Sequence, residues 1–139
     1  MKRIVFLLIL PLFLLASNIN YELKIYDALL SNIFPNKKSI YVWSDSKKRE
    51  KILSKLKDIK LVSNQNNADI LIINNTKNII SNKLKFATSY KMLKYYKNDA
   101  IGGFYWKKGR PNILFLKQNL IKHDISLPNS FNDYIEDSL

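Results

Sequence analysis

A chain of 139 residues with no cysteine has room for one domain and excludes a disulfide framework, a thiolate metal site and a thiol nucleophile. Its 23 Lys and Arg against 11 Asp and Glu give a formal charge of +12, which suits an acidic partner or an anionic surface. One histidine leaves too few ligands for a transition-metal centre.

The chain opens on Met1-Lys2-Arg3, then Ile4–Leu15, an apolar run broken only by Pro11, then Ala16-Ser17-Asn18. Basic start, apolar middle and small residues in that order match a secretory signal peptide over residues 1–17, with an uncleaved anchor as the alternative. The run is shorter than the roughly 20 residues that span a bilayer. The expectation is an exported, periplasmic protein, whose residues 18–139 form a single α/β domain. Nucleic acid, the first partner a basic cytosolic chain suggests, is then not expected.

Tyr21–Phe34 carries Leu23, Tyr26, Leu29, Leu30 and Ile33 at helical spacing, so it predicts a helix with one apolar face, ended by Pro35-Asn36. Ser39–Ser44 reads as a strand covered on both faces. Asp45 and Ser46 are candidate caps for a helix over about 47–57. Ile52, Leu53, Leu56 and Ile59 form its inner stripe, and Lys47, Lys48, Arg49, Lys51, Lys55 and Lys57 its outer one. Lys60–Val62 predicts a short strand and Ser63–Asn67 a polar loop. Ala68–Ile73 is the most hydrophobic segment past the leader and predicts a central strand.

A weak helix is expected over 77–81 and a strand over Leu84–Ala87. Ser89 is a cap for a helix to about Lys97, with Met92, Leu93 and Tyr96 facing in. Ile101–Trp106 and Ile113–Leu116 flank a connection, Lys107–Asn112, that carries Gly109 and Pro111. This pattern predicts a β-hairpin at the edge of a sheet. Gly102-Gly103 reads as a bulge, because a phosphate-binding loop would open a helix where aromatic strand residues follow instead. Short helices over Lys117–Lys122 and from Leu127 onward, with Phe131, Tyr134 and Ile135 inward, complete the chain. The alternation predicts an α/β fold with a mixed sheet of about five strands and helices on its faces.

Chemistry-bearing clusters are few. His123 sits beside Asp124 without a readable nucleophile or oxyanion donor, so no catalytic residue is expected. Asp133, Glu136 and Asp137 share one face of a C-terminal helix, which reads as a solvated acidic end rather than a metal site. That end is also able to pair with the basic surface of a second copy of the chain. Asn74-Asn75-Thr76 fits the acceptor pattern for N-glycosylation, with little weight in a bacterial-type chain. No cofactor is expected. The remaining cluster is the hairpin: Phe104, Tyr105, Trp106, Lys107, Lys108 and Arg110. Alternation puts Phe104 and Trp106 on one face and Tyr105 on the other. Trp, Tyr and Arg are the residues that dominate protein interfaces.

The order of elements over residues 22–123 resembles the periplasmic YfiR-like family. The resemblance rests on the strand and turn Ile40-Tyr41-Val42-Trp43-Ser44-Asp45, on the Ala-Asp-initiated strand Ala68–Ile73, and on the glycine-led hairpin Gly102–Leu116. The best-known member restrains a membrane-bound diguanylate cyclase. The resemblance implies an α/β fold and a regulatory role, and carries over no individual residue. The expected function is a non-enzymatic periplasmic module that binds a membrane or envelope protein. A structural subunit of an envelope assembly is the alternative, and a small solute-binding protein the third reading.

Overall fold

The structure, a computed structural model, describes residues 20–139. The expected leader lies outside the described residues. Residues 20–33 form helix α1. Tyr26, Leu29, Leu30 and Ile33 are buried along one face of it, with Leu23 partly so.

The sheet grows outward from β1, Ile40–Ser44. The chain leaves β1 through helix α2, Lys47–Leu53, and pairs β2, Ile59–Leu61, parallel on one side. It then crosses to the other side, where β3, Ile70–Ile73, pairs β1 in parallel. All four residues of β3 are buried, as its unbroken apolar run requires of a strand covered on both faces. β4, Leu84–Ala87, follows in parallel, then helix α3, Tyr90–Tyr95, and β5, Gly102–Lys107. β6, Arg110–Leu116, turns back antiparallel to β5. Helix α4, Lys117–Lys122, and a 3-10 turn over Asn129–Tyr134 lead to β7, Ile135–Glu136. The finished order is β2-β1-β3-β4-β5-β6-β7.

Two apolar clusters sandwich the sheet. One joins α1 and α2 through Tyr26, Leu29, Leu30, Ile52 and Leu53 to Val42, Ile70, Ile72, Phe86, Phe104 and Phe115. The other joins Met92 and Leu93 of α3 to Leu71, Ile73 and Ala87. Alternate residues of β3 serve opposite clusters, which is the two-residue period of a strand.

The expected α/β domain with a mixed sheet and a C-terminal strand pair is observed, with several local differences. The sheet has seven strands rather than about five. The hairpin lies inside the edge, because β7 pairs Phe115 and Leu116 of β6. Tyr41 is exposed, so β1 is fully covered on one face only. α2 stops at Leu53, where successive turns lead directly into β2. Residues 77–81 form no helix; Asn74, Asn75 and Thr76 instead turn their amides to Asp45.

The hairpin connection is the two-residue turn Lys108-Gly109, with φ of 52° and 75°. That geometry matches the twist of the flanking strands. Gly102 and Gly103 form no bulge, since they pair in register with Phe115 and Leu114. A Cβ at Gly102 would run into the Leu114 carbonyl oxygen and the Phe115 ring, so glycine there permits close approach. Near the C-terminus, Phe131 packs on Phe115 at 5.8 Å between ring centroids. Tyr134 is exposed and Ile135 belongs to a strand. Asp133, Glu136 and Asp137 therefore share no helical face, and no metal-holding group of three occurs among the described residues.

Candidate functional site

The hairpin divides its six singled-out residues between core and surface. Phe104 is buried and meets Tyr26 edge-on at 5.7 Å. Tyr105 faces the opposite side, against Tyr90 of α3 at 5.7 Å. Trp106 is half-buried on the Phe104 side, and its indole Nε1 donates to Glu22 Oε1 at 2.8 Å. The alternation expected from the sequence is therefore observed. Phe104 and Trp106 are held by packing and a hydrogen bond, which leaves Lys107, Lys108 and Arg110 exposed at the turn. Among the described residues none of the three has an acidic group within 4 Å.

The outer edge of β6 is free over Arg110–Asn112, since β7 reaches only Phe115 and Leu116. Pro111 lies within that free stretch and has no N–H to offer an added strand. The exposed tip is therefore better suited to contact through charged side chains than through strand addition.

In an open sheet of this kind, ligands favour the carboxyl ends of strands where the winding reverses. Here that point lies between β1 and β3, and the chain closes it with its own carboxylate. Asp45 Oδ1 accepts from the Asn74 N–H at 2.7 Å, and Oδ2 accepts from Asn75 and Thr76 at 2.9 and 2.8 Å. Asp45 was an expected helix cap; Ser46 alone takes that role, accepting from the Arg49 N–H.

Farther along the same carboxyl edge, a cleft of about 380 Å³ opens over the ends of β4 and β5. Its polar wall is Thr88 and Ser89, and its aromatic wall is Tyr90, Tyr105 and Trp106. Arg49 and Lys107 supply the charge. Burial, then the neighbouring Tyr90, pushes the Tyr105 phenol upward. Arg49 was expected on the solvent stripe of α2 but is buried. It stands three and four residues before Ile52 and Leu53, a spacing that places it on the inner face. That spacing was the available signal.

No protein-family model matches this chain, and no protein of curated function matches it. A solved structure, that of a conserved domain protein from Vibrio cholerae O1 biovar El Tor strain N16961, has a similar fold. Its TM-score is 0.52 at 11% identity, covering 81% of this chain and 58% of that one. This chain thus spans less than two thirds of that protein's length, and the likeness concerns the fold alone.

One further cluster stands apart from the cleft. His123 pairs with Asp99 rather than Asp124, its Nε2 lying 3.0 Å from Asp99 Oδ1. Lys85 and Lys122 bind the same carboxylate. Burial works to raise the Asp99 carboxyl, but hydrogen bonds from Lys85, Lys122 and His123 outweigh it and hold it below the ordinary carboxylate range. Both carboxylate oxygens are engaged by structural partners, so this cluster ties β4, α4 and the loop before β5 together.

Proposed function

We propose that this protein is an exported, non-enzymatic module of the bacterial envelope that docks its basic hairpin tip on an acidic face of a membrane or envelope protein. The observation that carries the reading is the tip itself. Lys107, Lys108 and Arg110 project together from a two-residue turn without acidic partners among the described residues. Clustered positive charge speeds encounter with an acidic face. The resemblance of residues 22–123 to the YfiR-like family supports the same role, restraint of a membrane-bound partner.

A photo-crosslinking residue at position 108, in cells expressing the full chain, tests the proposal. The expected result is a defined adduct in the envelope fraction that disappears when Lys107 and Arg110 are changed to Gln. A crosslinker at exposed position 48, on α2, should give no such adduct. Equal adducts from both positions, or an adduct indifferent to the charge changes, contradict the docking surface.

A further inference from the structure

The Arg49 side chain lines the cleft and is incompletely satisfied. Its residue is about nine-tenths buried, yet its Nε has no hydrogen-bond partner. The only acid nearby among the described residues is Glu22, whose Oε1 lies 3.8 Å from Nη2. That is too long for a hydrogen bond, and the same oxygen already accepts from Trp106. The buried Tyr26 hydroxyl is the other polar neighbour of this guanidinium, and with Glu22 it leaves Nε unmet; an unmet buried polar group of this kind is costly and needs a cause.

The cleft provides one. Arg49 lines it, Lys107 adds a second positive charge, and no carboxylate lines it. Tyr90 and Tyr105 supply phenolic donors on the aromatic wall. Its volume of about 380 Å³ falls within the usual range for small-ligand sites. The planar fork of an arginine matches two oxygens of one carboxylate or phosphate group. We infer that the cleft between α2, α3 and β5 binds a small oxyanion ligand, with Arg49 as the principal contact and Lys107 as the second. This site is independent of the hairpin docking proposed above, although Lys107 borders both surfaces.

Nitrogen-15 NMR titration of the full chain with inorganic phosphate, and in parallel with acetate, tests the inference at constant chloride. The expected result is saturable shifts at the Arg49 Nε–H, the Trp106 indole N–H and the Thr88 and Tyr105 amides. The stronger of the two probes identifies the ligand as a phosphate or a carboxylate. Arg49→Gln should weaken binding about tenfold or more, as expected when a charge-assisted contact is lost. Lys107→Gln should weaken it less, and Lys48→Gln on the exposed side of α2 should leave it unchanged. Non-saturating shifts spread over many lysines with both probes overturn the site. Unchanged affinity in Arg49→Gln also overturns it. If Arg49→Gln fails to fold, Lys107→Gln and Tyr105→Phe decide the matter, and unchanged affinity in both overturns the site.

Discussion

At the scale of single residues, the Asp99 cluster shows how charge is used inside this protein. Its carboxyl is held below the ordinary range, so the unfolded chain binds more protons than the folded one in acid. Stability from this group is present above about pH 4 and is lost as pH falls through the lower folded-state value. Chemical denaturation of Asp99→Asn against the parent should therefore show a flatter acid limb below pH 4. It should also show a loss of about 2 kcal/mol near neutrality, because the buried Lys85 ammonium loses its counter-charge. Asp45→Ala leaves three amides without their acceptor and should cost about 2 kcal/mol. Hydrogen exchange at Asn74, Asn75 and Thr76 should rise with it. Neither pairing was legible in the sequence. Asp99 lies 24 residues from His123, and Asp45 lies 29 to 31 residues from the amides it binds. A local reading made Asp45 a helix cap and set His123 beside Asp124.

At the scale of elements, boundaries set by local chemistry were legible and those set by tertiary contacts were not. β4 and α4 occur over the expected residues, and Ser89 caps α3 as its position suggested. Residues 77–81 have modest helical character but follow amides committed to Asp45, and they form no helix. The glycines separate in the same way. Gly102→Ala should destabilise the fold by about 2 kcal/mol or more, because the added methyl meets backbone of β6 that cannot move aside. Gly109→Ala meets nothing within 4 Å and should cost only about 1 kcal/mol, the strain of its positive φ. Thermal melts of the two variants check the order, and a larger loss at Gly109 would contradict the close approach at Gly102.

For the whole molecule, the alternation of apolar strands and amphipathic helices made the α/β sheet readable, and the unbroken run of β3 located its interior. The last strand was hidden, because a two-residue pairing of Ile135 and Glu136 with β6 leaves no periodic pattern. Of the candidate site, the aromatic alternation and the basic turn were legible. The cleft was not, because Arg49, Tyr90 and Tyr105 come from three separate elements. The folded domain leaves two positively charged features near one end of the sheet, an exposed tip and a recessed cleft. Charge at the tip should be dispensable for folding, so Lys107→Gln, Lys108→Gln and Arg110→Gln together should change stability by no more than about 0.5 kcal/mol.

The most direct measurement of the central claim is site-specific crosslinking from position 108 in intact envelopes, compared between the parent chain and a form with Lys107 and Arg110 both changed to Gln. The account predicts one defined envelope-protein adduct with the parent and its loss in the still-folded variant. An adduct of equal yield in both would contradict docking through the basic hairpin tip.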